Sequence, residues 1–463
     1  MESWTLNEVV PKRRAERNSI FMYVFTCTIR ANHNIMNTSR QAVFTAFLVF
    51  CLLFSESFCV AEPQTRNVVL TGLDVLINED FAPLRGKRVG LITNQSGVTG
   101  DGRSGIDALW QAAKAQEGKE TGFALAALFS PEHGLRGRAA AGASVENSRD
   151  RATGLPIYSL YGKTQKPTPA MLRGLDTLVF DIQEIGSRSY TYISTLGLCM
   201  EAAAQNNLAF VVLDRPNPLG GLRVEGNIPA PAFRSFVGKY PVPYLHGLTV
   251  GELARLLNGE RYLRQGAQCR LTVVPMQGWR RSMTWEETGL RWIPTSPHVP
   301  YARTSSYYAA TGIVGELPAL SIGIGTSLPF EVAGAPGLDA DRYAKELTRR
   351  GLPGVRFTPT IWTPDHGVYS GRKCRGVHIE FTEASHCELT RLNFELMETA
   401  RRVSPSLRFF ADRETTRMFD LVNGIDSVRK GFEEGQSSAQ IWADWNRGAE
   451  AFRSRRAPYL LYR

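Results

Sequence analysis

Short apolar runs that break abruptly into polar turns constrain this chain more than any other feature. Phe123 to Phe129, Leu178 to Phe180 and Phe210 to Leu213 are nearly continuous hydrophobic segments, and Val89 to Thr93 is a fourth. They are too short for buried helices and lack in/out alternation, so they read as strands covered on both faces. A helical pattern follows Val89 to Thr93 at Ser104 to Gln116, where Ile106, Leu109, Trp110 and Ala113 share one face. Another runs from about Tyr190 to Asn206. Strands of this kind alternating with helices predict an α/β fold with a mostly parallel sheet, whose strand-end loops share one edge.

Those loops carry more polar chemistry than turns require. Asn94 and Gln95 follow the first strand, and Pro131-Glu132-His133-Gly134 follows the second, its Pro and Gly stopping any continuation. Asp181, Gln183, Glu184, Arg188, Tyr190 and Tyr192 crowd the third strand end, and Asp214, Arg215 and Asn217 the fourth. Because α/β sheets bind ligands beyond the carboxyl ends of their strands, all are site candidates. The stretch from Leu135 to Pro169 is long enough to predict a lid or binding loop. Farther on, Thr249 and Glu252 predict a capping box for a helix through Leu256. A Trp/Arg/Pro-rich region then suggests a boundary near Pro294 to Pro300, giving a catalytic domain over 66–293 and a smaller α/β domain over 294–463. In the latter, helices are expected at about 340–350, 388–403 and 439–455, with strands at 355–357 and 375–382.

The ends and the charge narrow the function class. Ala42 to Phe54 is an uncharged apolar run after Arg40, and Cys59-Val60-Ala61 has small residues at the positions of a cleavage site. Too short to span a bilayer comfortably, the run predicts a cleaved secretory signal, with Met1 or Met36 as the start and a secreted or periplasmic protein as the product. Residues 1–61 are therefore set apart from the fold, and no stable membrane insertion is expected afterwards. Beyond Ala61 there are 48 basic against 40 acidic residues, an excess that favours anionic partners such as wall polymers. No basic run interleaved with aromatics points to nucleic acid. Four cysteines remain, Cys199, Cys269, Cys374 and Cys387, too scattered for a disulfide framework. Cys374 and Cys387 are placed either to pair across a hairpin or to stay as buried thiols.

Several chemistries lack their motifs. There is no dinucleotide fingerprint after a strand, no P-loop, no G-x-S-x-G elbow, no H-E-x-x-H and no C-x-x-C. His133, His246, His298 and His366 stand singly and read as hydrogen-bonded loop histidines rather than zinc ligands, with His133 and His246 as candidate substrate contacts. Carboxylate chemistry remains: Glu132, Asp181, Glu184 and Asp214 lie past strand ends, with Glu225 downstream. Two carboxyl groups flanking a bond, one protonated and one ionised, cleave an acetal. Tyr190 and Tyr192 would stack on a sugar, and Arg188 and Arg215 would grip an acidic group.

Long segments in one order carry a resemblance. Gly90 to Gly97 (GLITNQSG), Leu128 to Gly137 (LFSPEHGLRG), Val179 to Thr195, Val212 to Pro218 (VLDRPNP), His246 to Ala254, Pro329-Phe330-Glu331 and the closing Tyr459 to Tyr462 are similar to the exo-β-N-acetylmuramidases. The resemblance implies a Rossmann-like N-terminal domain holding the active site, a C-terminal α/β domain beside the cleft, and no metal or organic cofactor. It also implies release of N-acetylmuramic acid from the non-reducing ends of peptidoglycan fragments, with Glu132 as the motif glutamate and general acid. The second carboxylate stays open among Glu184, Asp181 and Glu225, because the family usually has Asp where this chain has Glu184. Two further departures are Leu317 to Thr326, in place of a charged run, and His298, in place of a common Asn. That sugar bears a lactyl carboxylate, so its site needs a cation, for which Arg136, Arg188 and Arg215 are candidates. A wall-binding protein without turnover and a hydrolase of another acidic or N-acetylated sugar are the alternatives.

Overall fold

In the computed structural model residues 68–136 and 146–463 are described. The proposed leader, with Met36, the apolar run and the Ala61 site, lies outside them, as does the tip of the loop after Arg136. Seven strands form one sheet: β1 (Arg88–Thr93), β2 (Ala124–Ser130), β3 (Ser148–Arg149), β4 (Pro156–Ser159), β5 (Thr177–Asp181), β6 (Ala209–Leu213) and β7 (Arg270–Val274). Their order is β3-β4-β2-β1-β5-β6-β7, parallel throughout except that the short β3 runs antiparallel to β4. The long loop after β2 is thus partly sheet, since it supplies β3 and β4.

Uninterrupted apolar strands make sense once both layers are seen. Leu178, Phe180, Phe210 and Val212 face helices Tyr192–Gln205 and Val250–Gly259. Val179, Val211 and Leu213 face helices Gly72–Asn78 and Gly105–Ala115 on the other side. Successive side chains point to opposite layers, so the middles of β5 and β6 must be apolar at consecutive positions. Phe180 and Phe210 are fully buried, and truncating either to alanine would cost about 3–5 kcal/mol. The Thr249–Glu252 capping box forms as expected.

The C-terminal part carries a small antiparallel sheet of order β8-β10-β9, from β8 (Val332–Ala335), β9 (Val355–Trp362) and β10 (Cys374–Phe381). Helix Leu389–Val403 belongs to the same core. One helix expected over 439–455 is two, Ser438–Trp445 and Ala449–Arg456, parted at Asn446-Arg447-Gly448. Helices Thr304–Thr311, Arg413–Asn423 and Ser427–Glu433 were not anticipated, although Asp412 and the left-handed Gly424 cap the second of these in a readable way. The final residues return to the large sheet. The Tyr462 hydroxyl donates to Asp214 Oδ2 at 2.5 Å and accepts from the Met276 amide at 2.9 Å, and the Leu461 amide donates to Glu252 Oε1 at 2.9 Å. All four cysteines outside the proposed leader are buried free thiols. Among the described residues no helix is long and apolar enough to cross a membrane.

Candidate active site

Leaving aside β3, the strand order is that of a doubly wound nucleotide-binding sheet. The chain builds outward through β1, β2 and β4, then crosses back to β5, β6 and β7. The reversal falls between β1 and β5, which pair from Val89↔Thr177 to Thr93↔Asp181. Loops diverge at such a switch point and leave a crevice at the carboxyl ends of the strands. The loops after β1, β2 and β5 are the ones that border it.

Glu132 sits on the β2 loop, largely buried at 9% exposure. Its Oε2 accepts a 2.6 Å hydrogen bond from Thr191 Oγ1, at the start of helix Tyr192–Gln205. Tyr161 also bonds to this carboxylate, and burial together with the Glu132 charge pushes its phenol up to about 12. The turn that presents Glu132 uses two left-handed residues in succession, His133 at φ 69° and Gly134 at φ 78°. Such a backbone is uncommon for a histidine and turns the loop back sharply. Tyr190 and Tyr192 meet edge to face with centroids 4.8 Å apart. Their hydroxyls donate to Thr295 Oγ1 and Thr295 O, each at 2.7 Å. Burial, with a smaller push from Glu132, raises both phenols, so each is a neutral donor. Asn94 is buried after β1, where its Oδ1 accepts from the amide and hydroxyl of Ser96.

The other candidate carboxylates are differently occupied. Asp181 Oδ1 accepts from Arg215 Nε at 2.6 Å in a buried ion pair. Burial raises the Asp181 carboxyl while Arg215 pulls it down. Asp214, though it adjoins Arg215 in sequence, bonds only to the backbone amide of that residue, at 2.9 Å. It also accepts from Thr249 Oγ1, the Gly251 amide and Tyr462, so it anchors a helix start and the chain's tail. Glu225 pairs with Arg223 and accepts from the amide and hydroxyl of Thr390, at the start of helix Leu389–Val403. Arg223 lies on the same long loop after β6, and Thr390 belongs to the C-terminal part, so these bonds tie Glu225 away from Glu132, Asp181 and Glu184. Glu184 is 3% exposed; Oε2 accepts from the Gly186 amide, and the buried Oε1 has no hydrogen-bond partner. Burial pushes this carboxyl up to about 8, so it is a neutral acid at pH 7.

Several expected substrate contacts have other tasks. Arg188 is fully buried and donates to the carbonyls of Asn227, Val242, Val422 and Asn423. Arg215 is likewise committed to Asp181 and the Val98 carbonyl. Arg136 is exposed and pairs with Asp150 at 3.1 Å. Gln183 ties its own loop to the next by donating to the Glu184 and Pro216 carbonyls. Asn217 closes a turn and reaches the Leu248 carbonyl. His246 is fully buried and held neutral, with burial drawing its pKa down to about 3. Residues that the sequence did not single out also meet here, namely Tyr161, Thr191 and Thr295. Thr191 had a readable signal, since it interrupts the Tyr190–Tyr192 pair at a helix start. Tyr161 had none, because only the pairing of β4 with β2 brings it to Glu132. Among the described residues no group of three His, Cys, Asp or Glu is arranged to hold a metal ion.

Comparisons with known proteins agree with this architecture. Residues 89–303 match the family model described as exo-β-N-acetylmuramidase NamZ, N-terminal, and residues 306–462 match its C-terminal counterpart. A peptidoglycan β-N-acetylmuramidase NamZ of Bacillus subtilis is 39% identical over 430 residues, covering 91% of this chain and 100% of the relative. Crystal structures of two DUF1343 family proteins from Bacteroides fragilis superpose with TM-scores of 0.80 and 0.68 at 44% and 30% identity. Each covers 85% of this chain and 99% of its own. With both family models matched in order over nearly all of the described residues, the chain belongs to the exo-β-N-acetylmuramidase family.

Proposed function

We propose that the protein is a glycoside hydrolase that removes N-acetylmuramic acid from the non-reducing ends of peptidoglycan fragments, with Glu132 as proton donor. The observation that carries this reading is the placement of Glu132. It is the motif glutamate of the family, it lies on a switch-point loop, and it is clamped by Thr191 and Tyr161 within a wall of tyrosines. A carboxyl group held at a crevice edge by neutral donors keeps one orientation toward a glycosidic oxygen, which is what general acid catalysis needs. In the donation step the Glu132 proton passes to the departing oxygen as the anomeric C–O bond breaks, and water supplies the hydroxyl of the released sugar.

The second carboxyl role fits Glu184 best among the three alternatives. Asp181 spends its charge on Arg215, and Glu225 serves Arg223 and a helix start. A carboxyl that burial keeps neutral suits hydrogen bonding or positioning rather than nucleophilic attack. The test is Glu132→Gln assayed on a chromogenic N-acetylmuramic acid glycoside. Turnover should fall about 10²–10⁴-fold, whereas activity kept within about tenfold of wild type would rule Glu132 out as the acid. No release by the wild type would favour a wall-binding protein without turnover.

A further inference from the structure

Among the described residues Arg188 is turned to backbone carbonyls, Arg215 to Asp181 and Arg136 to Asp150, so imidazoles are the cations left to consider. His133 follows Glu132 directly in the chain. His298 lies three residues beyond Thr295, which holds both Tyr190 and Tyr192. His366 arrives from the connection between β9 and β10, and its Nε2 stands 3.3 Å from His298 Nε2. The two rings stack with centroids 5.6 Å apart and planes 28° from parallel. Asp365 holds His366 at Nδ1, so the Nε2 edge is the one turned to His298.

His298 and His366 therefore face each other, with Asp365 at the His366 end and His133 near enough to act on His298 electrostatically. Burial first, then His366 and His133, hold His298 below the ordinary imidazole range. Cations set against each other cost energy when protonated, and an arriving anion relieves that cost. A metal ion would be the other natural occupant of facing imidazoles. The described residues offer no third His, Cys, Asp or Glu in metal-holding geometry.

We propose that His298 and His366 form an anion subsite that takes the carboxylate of an acidic sugar whose glycosidic bond is presented to Glu132. This rests on the hydrolase reading above. Empty, one Nε2 donates to the other; on binding, a second proton is taken up and both N–H groups donate to the carboxylate. His133 acts on His298, and Asp365 bonds to His366. Binding of the acid therefore consumes a proton and weakens as pH rises through the imidazole range.

The experiment is calorimetric titration of the full chain, at about pH 6, with N-acetylmuramic acid and with its methyl ester, which lacks the charge. Wild type should prefer the acid by about 10- to 100-fold, the worth of a charge-assisted contact. His298→Gln and His366→Gln should each bring that preference to within about fivefold of unity. Proton uptake, read from buffers of different ionisation enthalpy, should accompany the acid and not the ester. Variants that weaken both ligands alike and keep the ratio would overturn the subsite, because that is what a purely structural histidine does. Wild type that binds both ligands equally would also overturn it. Binding of neither ligand would instead overturn the muramic acid reading beneath it, and the subsite with it.

Discussion

Replacing Arg188 with methionine decides whether this cation is a strut or a hand for substrate. The side chain is 0% exposed, and burial draws its pKa from 12.5 to about 9, a penalty on the cation on the order of 5 kcal/mol. Against that stand four hydrogen bonds to carbonyl oxygens, at 2.5 Å to Asn227, 3.0 Å to Val242, 2.9 Å to Val422 and 3.1 Å to Asn423. Bonds from a charged donor contribute about 1.5–3 kcal/mol each, so together they outweigh the penalty by a few kcal/mol. Val422 and Asn423 close helix Arg413–Asn423, where carbonyls lack intrahelical donors and the dipole favours a cation. The expected loss for Arg188→Met is about 3–5 kcal/mol, the range for removing one partner from a buried charged network. At about 2 cal/mol/K of unfolding entropy per residue, that lowers Tm by about 4–6 °C. Differential scanning calorimetry measures it, beside titration with an acidic sugar. A Tm within about 1 °C of wild type, together with a selective loss of affinity for the acidic sugar, would refute the reasoning and return Arg188 to the substrate.

Two further outcomes follow from the same bookkeeping of buried charge. Glu184 has its folded pKa raised from 4.5 to about 8, so the stability it contributes is fully present below pH 4.5 and is lost as pH rises toward 8. Glu184→Gln should lack that decline, and urea midpoints at about pH 5 and about pH 8 should show the variant gaining on wild type by up to about 1.4 kcal/mol per pH unit; parallel curves would mean that the carboxyl is ionised in the folded protein. Tyr462→Phe removes one of four donors to Asp214 and the acceptor of the Met276 amide. It should cost about 1–3 kcal/mol in chemical denaturation, and a change below about 0.3 kcal/mol would show that the tail contact carries no weight.

The large sheet was legible because its central strands β2, β5 and β6 are nearly continuously apolar, a pattern that helices on both faces impose and few other arrangements satisfy. β3 and β4 were not, since a two-residue and a four-residue strand carry too little periodicity to stand out from a loop. The same limit applies to the site. That Glu132, Asp181 and Asp214 share a sheet edge follows from chain order and parallel pairing alone. Which partner each one takes does not. Arg215 adjoins Asp214 in sequence yet pairs with Asp181, because Thr249, Gly251 and Tyr462 have already claimed Asp214 from elsewhere in the chain. Arg188 looked like a substrate ligand because nothing local reveals that helix Arg413–Asn423 ends against it. The close approach that locks this edge is visible at Gly97, where a Cβ would fall 2.3 Å from Thr93 Oγ1 and 2.8 Å from the Asp181 carbonyl oxygen. A glycine in a polar turn says little by itself about what it must let pass.

The return of the last residues to the first sheet bears on the order in which the molecule can be completed. Translation delivers β1 to β7 early, yet Asp214 and Glu252 acquire partners from Tyr462 and Leu461 only after the whole C-terminal sheet and its helices have been made. Those partners come from a stretch of chain synthesised roughly two hundred residues later, so the native bonding of that sheet end is completed last. The tail thus acts as a late-arriving latch, making the two halves mature together rather than in succession.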